Sequence, residues 1–276
     1  MPVNQTPGAR PLLDPEPLDA LAPDLLVEVL DEATSTNAVV AERARSGAPE
    51  GLVVVAEHQT AGRGRLDRAW EAPARSALTF SVLLRPGVTP AEWPWIPLLV
   101  GYTVSKALRA EGYDAAVKWP NDVLIEDRKV AGILVERVET PAGPAAVVGV
   151  GLNVDLTAEE LPVPTATSLG LEPDGSGGSG SAPDRTSLLT LLLRSLREAY
   201  DAWEAGGEAA TGRLRSSYTS ACVTLGQQVR VEQPTGEPLT GQATGIDEGG
   251  RLVVLTPGGE VAVGAGDVVH VRPIDQ

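Results

Sequence analysis

Residues 57 to 70 read EHQTAGRGRLDRAW, in a chain whose formal net charge is −15. Arg63, Arg65 and Arg68 share this short run with Gly62 and Gly64, and Trp70 closes it. A guanidinium is a planar fork of donors that matches carboxylate and phosphate oxygens. Glycine lets a backbone come close to a ligand. Taken alone, such a run reads as a solvated face or a nucleic-acid contact. Three further stretches carry polar residues at telling places. TSTN puts Ser35, Thr36 and Asn37 ahead of a helical pattern, where they suit an N-terminal cap. KWPNDVLIEDRKVAG spans 118–132 and holds Lys118 and Lys129, in a chain where lysine is scarce, and Asn121 and Asp122 in a Pro-Asn-Asp turn. GVGLNV places Gly149, Gly151 and Asn153 in a strand-like run, and glycine inside a strand often marks close approach of a ligand or another backbone.

The elements that must hold these residues follow from periodicity. TSTNAVVAERARSG is a helix stopped by Gly47, and GLVVVAE (51–57) is a short buried strand. Alternation at Leu78, Phe80, Val82 and Leu84 predicts a half-buried strand. Ile96, Leu99, Val100, Thr103, Val104, Ala107 and Leu108 fall on one helical face. Residues 115–139 read as strand, turn, short strand, tight turn at Asp127–Arg128 and long strand, and 145–155 as another strand. Asp184 caps a long amphipathic helix that ends at Gly206–Gly207, with a shorter helix over 208–220. From Gly226 onward, short strands with glycine turns predict a small β-barrel, with a domain boundary near 224.

Residues 1–22, rich in proline and acid, read as a flexible tail. EPDGSGGSGSAPD (172–184) reads as a flexible surface insertion. There is no room before the arginine run for an N-terminal DNA-binding module, and no signal peptide or long apolar span is visible. Composition gives 22 Lys+Arg against 37 Asp+Glu over 276 residues. That balance opposes broad binding to DNA or to an anionic membrane. Cys222 is the single cysteine, which excludes an intramolecular disulfide and fits a reducing, cytoplasmic setting.

The motifs STN, EHQTAGRGRLDRAW, KWPNDVLI, RKVAGILVE and GVGLNV, in this order over about residues 24–272, resemble the biotin protein ligases. The resemblance implies an α+β fold: a mixed β-sheet with flanking helices, of the class II synthetase-like kind, over 23–224, and an SH3-like barrel over 225–276. It implies the monofunctional type, without a DNA-binding domain. It also implies two steps. Biotin and ATP give biotinyl-5′-adenylate and pyrophosphate, and the biotinyl group then passes to one lysine of a biotin carboxyl carrier protein. By resemblance, Arg63, Arg65 and Lys129 are the catalytic cations. Ser35, Thr36, Asn37, Gln59, Gly62, Gly64, Gly132 and Gly149 complete the biotin site with them. Arg65, Arg68, Trp70, Lys118, Asn121, Asp122, Lys129 and Asn153 form the ATP and adenylate site. Mg²⁺ is expected to be held mainly through the ATP phosphates. Members of the family occur as monomers and as dimers paired through the central sheet, and both states stay open here.

Two other readings stand beside this one. A lipoate–protein ligase of the same fold would also activate a carboxylate with ATP. An octanoyl transferase would need a core cysteine, and Cys222 lies far in sequence from every motif. A non-enzymatic biotin sensor would bind but release no pyrophosphate.

Overall fold

Strand alternation and helical periodicity together build two sheets and a two-stranded hairpin, with helices on both faces of the largest sheet. The structure, a computed structural model, describes residues 10–173, 181–233, 237–264 and 266–270. In chain order the first part comprises α1 (Pro15–Asp19), β1 (Leu26–Leu30), α2 (Thr36–Arg45), β2 (Leu52–Ala56), β3 (Gly62–Arg63) and β4 (Ala69–Trp70). There follow β5 (Ala77–Leu84), α3 (Trp95–Ala110), β6 (Ala115–Lys118), β7 (Asp122–Ile125), β8 (Arg128–Thr140), β9 (Gly143–Asn153) and α4 (Arg185–Ala221). A seven-stranded sheet has the order β1-β2-β5-β9-β8-β7-β6; β1 and β2 are parallel and the remaining pairs antiparallel.

Side chains two apart in a strand share a face, and here the two faces have different occupants. Val53, Val55, Phe80, Val82, Val148 and Val150 pack in one cluster with the apolar faces of α3 and α4. Leu52, Val54, Leu83, Ala145 and Val147 pack on the other side with Val40, Ala41 and Ala44 of α2. β5 is therefore buried at every residue, not half-buried, because α2 covers the face that a surface strand would leave wet. Beyond the body of α2 that second face carries Gly132, Leu134, Gly149, Gly151 and Asn153, which line a cleft, with Thr79 and Ser81 buried beside them. Gly151 pairs with both Thr79 and Gly132, and Gly149 with both Ser81 and Leu134.

α4 is capped by Asp184, whose carboxylate accepts from Ser187 N, and is kinked at Gly207 (φ 53°). Two helical pieces thus meet at the glycine pair that the sequence marked. The expected flexible tail is a packed strap over residues 10–22. Asp14 caps α1, and Leu13, Leu18 and Leu21 enter the main core. Burying three leucines offsets the entropy of ordering this proline-rich stretch. The 172–184 insertion also begins inside the protein. Glu172 is buried, bonded by Thr167 Oγ1 and ion-paired with Arg128 at 2.9 Å. Residues 174–180 lie outside the described part.

The C-terminal strands β10 (Gln228–Glu232), β11 (Leu239–Ile246), β12 (Leu252–Thr256), β13 (Gly259–Val263) and β14 (Asp267–His270) form an antiparallel sheet of SH3-like kind in the order β13-β12-β11-β10-β14. Among the described residues it stays open, with β13 and β14 as its edges, so the closed barrel expected from the strand spacing does not form. The four-residue β14 pairs with β10 and lies along the cleft described below. Two buried indoles dock this sheet onto the first part. Trp95 Nε1 donates to Glu248 O (2.8 Å), and Trp119 Nε1 donates to Gly250 O (3.1 Å). Among the described residues no helix is long and apolar enough to cross a membrane.

Candidate active site

The open second face of the large sheet forms the floor of a cleft of about 1270 Å³, walled by the arginine loop, the segment after β9 and the C-terminal sheet. Its floor is shaped by glycine. A Cβ on Gly149 would stand 2.2 Å from Asn37 Oδ1, and one on Gly151 would stand 2.4 Å from the Trp70 indole. A Cβ on Gly132 would press on Lys129 and Trp70 at 3.1–3.4 Å. The three glycines therefore let α2, Trp70 and Lys129 come down onto the sheet. Trp70 is carried by the β3–β4 hairpin, in which Gly62 pairs with Trp70 and Arg63 with Ala69.

At one end of the cleft lies a neutral polar cluster at the start of α2. Ser35 occupies the cap position, but its side chain makes no capping bond. Thr36 N and Oγ1 both donate to Gln59 Oε1, at 2.8 and 3.2 Å. Below them the buried Ser81 hydroxyl is 2.7 Å from Thr36 Oγ1 and 2.6 Å from Asn37 Oδ1. Asn37 Nδ2 donates to Glu136 Oε2 at 2.6 Å. The capping expectation thus gives way to a side-chain network that spends these polar groups on one another and on the cleft.

The cations come next. Arg63 reaches Glu136 at 3.8 Å, and Arg65 Nη1 lies 3.4 Å from Asn121 Oδ1. Asn121 is itself fixed, its Nδ2 donating to Ile133 O at 2.9 Å. Lys129 pairs with Asp122 at 2.6 Å and lies 5.8 Å from the Trp70 ring. Arg68 pairs with Asp267 of β14, so the arginine loop touches the C-terminal sheet. Burial pulls the Lys118 ammonium below its ordinary pKa; Asp122 and Asp267 oppose this, while Lys129 and Arg68 add to it. Burial acts on Arg65 in the same direction, opposed by Asp267 and Asp122 and reinforced by Arg68. A guanidinium stays protonated all the same. The result is a concentration of fixed positive charge, partly desolvated, in a protein of net negative charge, which is what an anion-binding site requires.

Of the residues singled out from sequence, Ser35, Thr36, Asn37, Gln59, Arg63, Gly64, Arg65, Arg68, Trp70, Lys118, Asn121, Asp122, Lys129, Gly132, Gly149 and Asn153 all line this one cleft. Gly62 does not. It is buried behind the wall, where a Cβ would strike Trp70 O at 2.4 Å and Gln59 Nε2 at 2.8 Å, so its part is to seat the hairpin. Trp119, inside the lysine motif, is a docking residue for the C-terminal sheet as well as a lining one.

Residues 29–153 match the biotin/lipoate A/B protein ligase family, and residues 224–271 match the biotin protein ligase C-terminal domain. A biotin–[acetyl-CoA-carboxylase] ligase of Mycobacterium tuberculosis is 40% identical over 252 residues, 89% of each chain. The chain belongs to the biotin protein ligase family. A biotin–[acetyl-CoA-carboxylase] ligase of Paracoccus denitrificans is 31% identical over 87% of this chain and 98% of its own length. Among solved structures, the biotin protein ligase from Aquifex aeolicus in complex with biotin and ATP aligns with TM-score 0.73 and 28% identity, covering 89% of this chain and 98% of that one.

Ser81 and Glu136, which hold Thr36, Asn37 and Arg63, went unread in the sequence. Gly151, marked in the sequence as a point of close approach, seats Trp70. Ser81 had a usable signal, being a polar residue in an otherwise apolar strand. Glu136 shared the strand parity of Gly132. Asp267 had none, because only the docking of the C-terminal sheet brings it to the arginine loop.

Proposed function

We propose that the protein is an ATP-dependent biotin–[acetyl-CoA-carboxylase] ligase. The observation that carries this reading is the joining, in one cleft, of a neutral polar cluster to a set of cations, of which Arg65 and Lys118 are partly desolvated. The cluster of Thr36, Asn37 and Gln59 suits an uncharged ureido ring with two N–H groups and a carbonyl, held in an otherwise apolar pocket. Arg63, Arg65 and Lys129 then receive the biotin carboxylate and the α-phosphate, two anions that must meet. As the carboxylate attacks phosphorus, charge grows on the phosphoryl oxygens and pyrophosphate leaves. Fixed donors in a site shielded from water stabilise that change without reorganising. Arg68 and Lys118, nearer the C-terminal sheet, take the departing phosphates. Trp70, on the floor glycines, covers the adenylate and limits hydrolysis of this mixed anhydride.

Among the described residues no cluster of three or more His, Cys, Asp or Glu side chains could hold a metal. Of the four acids lining the cleft, Asp122 and Asp267 are each paired with a cation. This arrangement suits Mg²⁺ carried by the nucleotide phosphates, where the ion neutralises phosphate charge. In the second step a carrier lysine, entering neutral, attacks the acyl carbon and displaces AMP, with docking supplying effective concentration. The carrier is a biotin carboxyl carrier protein, and an edge of the large sheet is the surface on which it would pair.

Purified protein with ATP and Mg²⁺ should release pyrophosphate with biotin and not with lipoate or octanoate, and Arg65→Ala or Lys129→Ala should lower the rate of release by about 10²–10³-fold. Release only with lipoate would make the protein a lipoate ligase of the same fold. Biotin binding without release would make it a sensor. Cys222 is buried and its thiol is pushed up by that burial, so acyl transfer through a cysteine is disfavoured.

A further inference from the structure

After β9 the chain runs through residues 154–168 without regular strand or helix, and Pro162, Val163, Thr165 and Ala166 make one wall of the cleft. The inner end of this wall is tied to the catalytic side. Lys129 N donates to Thr165 O and Thr167 N donates to Lys129 O, both at 2.8 Å. Asn153 Nδ2 donates to Thr167 O at 2.9 Å.

The outer end is gripped by Arg10. Its Nε donates to Asp155 Oδ2 (3.2 Å) and its Nη2 to Asp155 O (2.6 Å). Nη1 and Nη2 donate to Glu160 Oε1 (3.3 Å) and Oε2 (2.5 Å). Glu160 in turn accepts from Thr157 N at 2.9 Å, closing the loop on itself. One planar fork thus spans a backbone carbonyl and two carboxylates, a geometry that a lysine cannot reproduce. The Arg10 side chain is 17% exposed, against 48% for Asp155 and 30% for Glu160, so the contact lies at the surface with its cation partly shielded and held by several bonds at once.

The base of this clamp is fixed as well. Arg185 Nη2 donates to Pro11 O at 2.6 Å, and Leu13 N donates to Glu57 Oε1 at 2.7 Å. Arg185 and Glu57 form a buried ion pair at 2.8 Å. A continuous path therefore runs from the core, through the N-terminal strap and Arg10, to the cleft wall that is bonded to Lys129.

We infer that Arg10 is a positioning residue for ligand binding, holding the 154–168 wall against the cleft from outside the active site. The N-terminal strap is then part of the ligand-binding machinery although it touches no substrate. The kinetic part of this inference rests on the ligase reading; the structural part does not.

The test uses the full chain as wild type, Arg10→Ala, Arg10→Lys, Glu160→Ala and the double variant Arg10→Ala/Glu160→Ala. Amide hydrogen exchange is followed without ligand, and KM for biotin and for ATP is measured separately from kcat. In Arg10→Ala, exchange over 155–166 should quicken about tenfold while α1 and the large sheet keep wild-type rates. KM should rise about tenfold with kcat within about twofold of wild type. Arg10→Lys should fall between the two. The double variant should lose less than the sum of the two single losses, because the residues share one contact while Glu160 also holds Thr157 N. Unchanged exchange over 155–166, exchange raised equally everywhere, unchanged KM, or additive losses in the double variant would each overturn the assignment. If the wild type releases no pyrophosphate with biotin, the ligase reading falls, and exchange over 155–166 still decides the role of Arg10.

Discussion

The Lys129 ammonium lies 2.6 Å from an Asp122 carboxylate oxygen, and Gly132, the cross-strand partner of Asp122, leaves the space in which Lys129 sits. Arg63 with Glu136 and Arg68 with Asp267 repeat the arrangement. The cations that would receive ligand anions are thus already oriented by the protein's own carboxylates, and incoming anions must compete with them or share them.

Lys129→Ala should lower the rate of biotin-dependent pyrophosphate release by about 10²–10³-fold, the scale for losing one fixed donor at a developing charge. Asp122→Asn keeps the shape but frees the ammonium. It should cost activity less than Lys129→Ala does. Rates equal to those of Lys129→Ala would give Asp122 a chemical role of its own.

Gly149→Ala should disrupt the end of the cleft at the start of α2. The new methyl would overlap Asn37 Oδ1. Asn37 would then have to leave Ser81 and Glu136. A loss of about 1–3 kcal/mol in a urea melt is expected, together with a higher KM for biotin and little change in the KM for ATP.

Lys118 couples stability to pH. Burial lowers its pKa in the folded protein, whereas an unfolded lysine titrates near about 10.4. Between the folded and unfolded values the unfolded chain binds more protons, so this group makes stability rise with pH across that window. Below it, both states are protonated and the folded protein bears the cost of a desolvated charge. Lys118→Met should therefore raise the melting temperature at neutral pH and weaken ATP binding, and its thermal advantage should shrink in alkaline buffer. A variant that melts lower at pH 7 would contradict this.

Arg185 and Glu57 test the strap. Removing one partner from so buried a pair strands the other. Arg185→Met should destabilise the fold by about 3–5 kcal/mol in chemical denaturation. Replacing both residues with apolar ones should cost less than the single change.

Much of this protein was legible in local sequence. Strand alternation and helix spacing are set by neighbours a few residues apart, so β2, β9, α3 and the two-part α4 could be read directly. The motif residues Arg63, Arg65, Lys118, Lys129 and Asn153 do line one cleft. What stayed hidden depends on contacts between residues distant in sequence. β5 looked half-buried because nothing local shows that α2 covers its second face. Residues 10–22 looked like a tail because their leucines have value only against a core assembled from later strands. Glu172 looked like the start of a surface insertion until Arg128 supplied its partner. Asp267 pairs with Arg68, and Arg10 with Glu160, although long stretches of chain separate them in sequence. The types and spacing of residues determined which elements form and which side chains can do chemistry. Only tertiary packing decided which charges meet, because pairing energy depends on distance and burial, and neither exists until the chain has folded.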